Sequence, residues 1–166
     1  ISKMVKGVVS MCLILFAYHV HPEIPLIVAA NRDEFYQRPT KAAHFWKDRP
    51  DILAGRDLEK MGTWMGISKN GRFAALTNYR NPHEETEGKR SRGELVVQYL
   101  TYNGNSEDYI KRLEKEKGDF PGYNILIGDV NKLYYYSNVN SQMKVIEPGI
   151  YGLSNHFLNT DWPKVK

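Results

Sequence analysis

The order of patterned segments predicts an antiparallel α+β protein built in layers. Three observations carry this: short β-type runs occur in both halves of the chain, two of them meet at Asn70-Gly71, and two helix-patterned segments lie between the halves. Strands, then helices, then strands is an α+β order, whereas a parallel doubly wound sheet alternates the two along the chain.

Residues 12–20, from Cys12 to Val20, are almost continuously apolar and are followed by Pro22, the pattern of a strand central to its sheet. Leu26-Ile-Val-Ala-Ala30 follows Pro25 and supplies an antiparallel partner across a short turn. Residues 63–68 and 72–78 flank Lys69-Asn70-Gly71, and Asn-Gly tolerates the positive φ angles of a tight hairpin. Ser91 with Glu94 three residues on forms a capping box, and Leu95, Val96, Tyr99 and Leu100 make an apolar helical stripe. Ser106 is the expected cap of a second helix. Glu107 and Asp108 stand at its positive end, Lys115 and Lys117 in its last turn, and Gly118 just beyond. After Pro121, strands are expected over 123–127 and 133–137, with shorter pieces near Val145 and Tyr151. Neither an internal repeat nor an interdomain linker interrupts the pattern.

The bulk properties fit one domain. The 166 residues are 42% apolar and 25% charged, an ordinary globular composition with room for a real core. Aromatics reach 12%, with 11 Tyr, which favours a sheet-rich fold. The net charge of +4 is mild and scattered, which argues against a nucleic-acid partner, and the mixed run from His83 to Arg92 reads as a solvated loop. A single cysteine excludes an intramolecular disulfide and a zinc ribbon, and it fits a reducing, cytoplasmic setting. No apolar run is long enough for an integral membrane segment. Lys3 and Lys6 ahead of residues 8–20 imitate a signal peptide, but no small-x-small cleavage site follows.

The lone Cys12 is the first chemical candidate. Its thiolate is a good nucleophile wherever a base or a positive charge favours it. If translation starts at Met11, removing that Met leaves a cysteine with a free α-amino group. Such an amine, with a pKa of about 7.7–8.0 in model systems, can serve as general base without a histidine. The alternative is a small apolar residue in a buried strand, the commoner role of a lone cysteine. Asn31-Arg32-Asp33-Glu34 lies directly after an apolar strand. Its arginine can hold a thiolate or a substrate carboxylate, or the four residues can form a surface ion-pair turn. Asn78 and Asn155 each close a β-type run, where a side-chain amide can donate to an oxyanion or simply favour a turn. Of the five histidines, His19 and His21 would share one face of a strand and could ligate a metal or haem iron. No third ligand is suitably spaced, so no metal site is expected. No glycine loop for phosphates is present.

Taken in order, the motifs resemble a known family. They run from Met11-Cys12 through Ala29-Ala30-Asn31-Arg32-Asp33-Glu34-Phe35-Tyr36 with Arg38-Pro39, then Gly55-Arg56-Asp57 and Gly62-Thr63-Trp64. They continue with Ala74-Ala75-Leu76-Thr77-Asn78-Tyr79, Arg92-Gly93-Glu94-Leu95 and Gly152-Leu153-Ser154-Asn155. The chain resembles the NRDE family over everything after Met11. The resemblance implies a four-layer αββα sandwich of the N-terminal-nucleophile hydrolase type, similar also to penicillin V acylases and bile salt hydrolases. It implies residues 1–11 as an upstream extension and 12–166 as the N-terminal portion of a single NRDE domain lacking its C-terminal part. By the same resemblance Cys12 is the nucleophile, Arg32 its support, and Asn78 and Asn155 the oxyanion side, with Asn31, Asp33 and Glu34 as substrate-binding or supporting residues. The implied activity is hydrolysis of an amide or related acyl bond in a small-molecule substrate, without a cofactor. The other reading is a non-catalytic carrier of haem or of a lipid or acyl ligand. Two departures stand out: a cysteine amide-bonded to Met11 has no free amine, and Met61 occupies a place where the family often has glycine before Gly-Thr-Trp.

Overall fold

The computed structural model describes residues 12–32, 34 and 37–160. Strand β1 (Leu13–Tyr18) shows the period of two that sets its role: Ile14, Phe16 and Tyr18 are buried, while Leu15 is 43% exposed. It is the central strand of a three-stranded antiparallel sheet, between β2 (Leu26–Asn31) and β10 (Gly149–Leu153). Leu13 faces Asn31 across one ladder, and Ile14 faces Leu153 across the other.

The larger sheet has seven strands in chain order, each antiparallel to its neighbours. They are β3 (Thr40–Phe45), β4 (Ile52–Asp57), β5 (Met65–Ser68), β6 (Phe73–Asn78), β7 (Tyr123–Gly128), β8 (Leu133–Ser137) and β9 (Gln142–Val145). Helices α1 (Gly93–Leu100) and α2 (Ser106–Lys115) are inserted between β6 and β7, the two strands at the middle of that sheet. The middle strands are covered on both faces. Ala74, Leu76, Ile125 and Ile127 pack under the helices with Leu95, Tyr99, Tyr109 and Leu113. Phe73, Ala75, Leu126 and Tyr135 point the other way, onto Ile14, Phe16 and Leu153 of the small sheet. Burial on both faces explains why β7 and β8 lack any apolar–polar alternation. Phe16 and Tyr151 stack at 5.0 Å within the inter-sheet core.

The expected antiparallel α+β architecture is present. Among the described residues it has three layers: helices, large sheet, small sheet. The outer face of the small sheet is left to solvent, with Leu15 and Ile27 partly exposed and Ile150 75% exposed. No helix of the described residues is long and apolar enough to cross a membrane.

Local details depart from the sequence pattern at four places. Strands β3 and β4 lie where the sequence pattern marks no strand: β3 is a mostly exposed edge strand with a register shift between Lys41 and His44, so it carries no clean alternation. The capping box is half made. The Ser91 backbone N–H donates to Glu94 Oε1 at 3.3 Å, but α1 begins at Gly93 with Arg92 at its N-cap and no side-chain cap bond. Helix α2 is capped by Asn105, whose Oδ1 accepts from the Asp108 N–H at 2.8 Å, while Ser106 is the first helical residue and pairs with the Tyr99 hydroxyl at 2.6 Å. His19 and His21 do not share a strand face, because β1 ends at Tyr18 and His19 turns the chain with φ of 49°. His19 Nε2 lies 2.7 Å from the Val130 carbonyl, and His21 Nδ1 accepts from the Glu23 and Ile24 N–H groups at 3.2 Å each. The hairpin at Asn70-Gly71 forms as expected, with Gly71 at φ of 85°.

Candidate functional site

Cys12 is the residue just before β1, half-buried, and the strand register fixes what surrounds it. The ladder that pairs Leu13 with Asn31 brings Arg32 alongside the cysteine, and the ladder that pairs Ile14 with Leu153 brings Ser154 and Asn155 to its other side. Ser154, 2% exposed, donates its hydroxyl to the Cys12 carbonyl at 2.7 Å, so the cysteine backbone is tied to the end of β10. Asn155 is also buried. Its Nδ2 donates to the Asn78 carbonyl at 2.8 Å, its carbonyl accepts from the Arg80 N–H at 2.9 Å, and its Oδ1 has no partner among the described residues. Asn124 holds this corner from beneath: Nδ2 donates to the His156 carbonyl at 2.8 Å, and Oδ1 accepts from Tyr135 at 2.8 Å.

A cavity of about 1370 Å³ opens at this place, and Cys12, Arg32, Glu34 and Asn78 all line it. The four strand-end candidates therefore come to one corner, Asn155 through its bond to Asn78. Asn31 closes β2 opposite Leu13 and is exposed. Asp33 lies outside the described residues. Arg32 donates to Glu34 at 2.9 Å, so this pair of the tetrapeptide forms an ion pair on the cavity wall, the second of the two alternatives its residue types allow.

Other motif pieces meet around the same cavity. Arg38 donates through Nε and Nη2 to Asp57 Oδ2 at 3.0 and 2.6 Å, joining Arg38-Pro39 to Gly55-Arg56-Asp57. That hydrogen bond is the main reason the Arg38 pKa rises. Burial alone would raise the Asp57 pKa, but the bond and two backbone N–H donors hold it below the usual carboxylate range. Gly62 abuts the start of α1 so closely that a Cβ there would stand 2.7 Å from the Gly93 carbonyl carbon. The Thr63 N–H donates to the Gly93 carbonyl at 3.2 Å, which seals this approach.

Arg92, which the sequence marks only as part of the Arg92-Gly93-Glu94-Leu95 motif, stands on the wall of the same cavity. Its side chain lines the cavity with Cys12, and Nη1 donates to the Gly122 carbonyl at 2.8 Å. Burial lowers its pKa, while the charges of Glu84 and Cys12 act in the opposite direction. The only hint in the sequence was an arginine immediately before a helix start. Among the described residues, no group of three or more His, Cys, Asp and Glu side chains is placed to hold a metal.

Residues 11–166 match the profile of the Transport and Golgi organisation 2 family. The chain belongs to this family. It is the same family as the NRDE family. Among its relatives, the mouse Transport and Golgi organization 2 homolog is 42% identical over 168 residues, covering 93% of this chain and 60% of the mouse protein. The human homolog is 41% identical with the same coverage. The Drosophila protein is 28% identical, covering 94% of this chain and 62% of its own length. The chain thus spans about 60% of the length of the curated relatives it matches. A solved structure of penicillin V acylase from Agrobacterium tumefaciens aligns with a TM-score of 0.40 at 12% identity, covering 84% of this chain and 42% of that one.

Proposed function

We propose that this member of the Transport and Golgi organisation 2 family is a cysteine N-terminal-nucleophile hydrolase acting on an amide or related acyl bond. One observation supports the reading above others: Cys12, Arg32 and Asn78 line one cavity, and Asn155 is hydrogen-bonded to the Asn78 carbonyl. The mechanism requires Cys12 to be the first residue, after removal of Met11 and what precedes it. The α-amine then takes the thiol proton as Sγ attacks the acyl carbon, and the oxyanion accepts hydrogen bonds from side-chain amides. Asn155 Nδ2 has a second N–H for this role while its first stays on the Asn78 carbonyl. Collapse passes the proton to the leaving amine and leaves a thioester on Cys12. Water, deprotonated by the same amine, releases the carboxylic acid and restores the thiol.

The test is intact-mass measurement on protein made from its natural start and incubated with p-nitrophenyl butyrate. A chain beginning at Cys12 that gains one butyryl group and then loses it is the expected result. A chain that keeps Met11, or a Cys12→Ala variant that gains the same adduct, refutes the reading. A single thiol fits a reducing setting such as the cytoplasm, where it stays available. The apolar stretch of the cavity wall at Leu26, Val28, Leu53, Trp64 and Met65 favours a second reading, a carrier that holds an acyl or lipid ligand without cleaving it. Binding of a fluorescent fatty acid that survives Cys12→Ala, with no turnover by the parent protein, would favour the carrier.

A further inference from the structure

Five arginines line the cavity, and four of them are already committed to carboxylates. Arg32 pairs with Glu34 at 2.9 Å, Arg38 with Asp57 at 2.6 Å, Arg56 with Asp48, and Arg90 with Glu94 and Glu116 at 3.0 and 3.3 Å. Arg92 differs. Among the described residues, no carboxylate oxygen lies within 4.0 Å of its guanidinium, and its hydrogen bond goes to a neutral acceptor, the Gly122 carbonyl. The cavity's lysines, Lys41, Lys60 and Lys89, are exposed, so water screens their charges, whereas Arg92 is half-buried and its field acts through protein.

We infer that Arg92 is the positioning residue that holds the Cys12 thiolate, the role the family resemblance gave to Arg32. The inference deepens the hydrolase reading and rests on Cys12 being its reactive group. An arginine cannot be deprotonated in this setting, so it stabilises the anion without competing for its proton. The bond to Gly122 fixes where the guanidinium stands, and Glu84 anchors the same glycine from the other side, its Oε1 accepting the Gly122 N–H at 2.7 Å. Glu84 also supplies the negative charge that most offsets Arg92. The surrounding charges are arranged to leave this effect visible: Arg32 and Glu34 on the β2 side neutralise each other, as do Arg90 and Glu94 on the α1 side.

The chain has one cysteine, so alkylation by iodoacetamide, followed by intact mass across pH, reports Cys12 alone. The expected result is that Arg92→Gln moves the midpoint of the alkylation profile upward and slows the reaction at pH 7 by about threefold to tenfold. Arg92→Lys should stay within about twofold of the parent. Glu84→Gln, which keeps an acceptor for the Gly122 N–H but removes the offsetting charge, should move the midpoint downward. An unchanged profile in Arg92→Gln overturns the inference, and so does an equal shift in the Lys and Gln variants, which would mark a purely structural role. If Arg92→Gln fails to fold, an unmoved midpoint in Glu84→Gln overturns it instead. Because the readout is thiol ionisation, it stands or falls separately from turnover: a shifted profile without acyl hydrolysis removes the hydrolase and keeps Arg92.

Discussion

Replacing Gly62 by alanine is the sharpest perturbation of the scaffold that carries the site. The added Cβ would sit 2.7 and 2.8 Å from the carbonyl carbon and oxygen of Gly93, backbone atoms that have no rotamer to change. An ordinary carbon–carbon contact is about 3.5 Å, so the loop and the start of α1 must part by roughly 0.8 Å. Overpacking of this kind costs about 1–3 kcal/mol. The Thr63–Gly93 backbone bond, already 3.2 Å long, would be stretched further, and its loss adds about 1 kcal/mol. The expected total is about 2–4 kcal/mol, equivalent to a fall in Tm of roughly 4–16 °C for a domain of this size. Urea and thermal unfolding followed by circular dichroism measure it directly. Gly93→Ala is the internal comparison: its Cβ would meet Thr63 backbone atoms at 3.3 Å, a milder crowding, and a helical alanine recovers up to about 1 kcal/mol over glycine. It should stay within about 1 kcal/mol of the parent. A Gly62→Ala protein within about 0.5 kcal/mol of wild type, or a Gly93→Ala protein that is the worse of the two, refutes the close-approach argument.

Met61→Gly should stabilise the protein by about 0.5–1 kcal/mol, because Met61 adopts φ of 58° and its half-exposed side chain has little burial to lose; a chemical-denaturation midpoint that does not rise rejects the strain. Ser154→Ala should cost about 1–2 kcal/mol by leaving the Cys12 carbonyl without its 2.7 Å donor, with faster amide exchange at the start of β1 as the local readout. Asp48 should titrate at about 2 in NMR, lowered first by its hydrogen bonds from Arg56, and Arg56→Leu should return it to the ordinary range near 3.9. The sign follows from that depression: what this carboxylate contributes is present above pH 4 and is lost as pH falls through about 2.

Much of the scaffold was legible from residue pattern. Asn70-Gly71 fixed one hairpin because only a few residue types accept its φ angles, and residues 12–20 announced a central strand by their nearly continuous apolarity, though the strand itself stops at Tyr18. Strand β3 was illegible for the opposite reason. Thr40 to Phe45 lie on an edge, nearly all exposed, so neither face imposes a hydrophobic set on them. Helix starts were legible to within a residue, but not which side chain does the capping: Asn105 rather than Ser106, and none at Arg92. At the site, Cys12, Arg32, Asn78 and Asn155 could be picked out as strand ends, and strand ends on one side of a sandwich converge. Nothing along the chain could tell which arginine stands without a carboxylate within ion-pair distance. Asp57 is 19 residues from Arg38, and Glu116 is 26 from Arg90, so that distinction exists only after the elements have packed.

The bond from Ser154 to Cys12 closes a loop of 142 residues, and the β1–β10 ladder closes one nearly as long. Closing so long a loop is entropically unfavourable and comes late in folding, after the local hairpins of the large sheet can already have formed. During synthesis at about 5–20 residues per second, the first strand emerges many seconds before its partner exists. Until residue 154 leaves the ribosome, the lone thiol has neither its backbone tether nor the Asn155 amide beside it. The corner around Cys12 therefore assembles only in molecules whose last strand, β10, has already docked on β1.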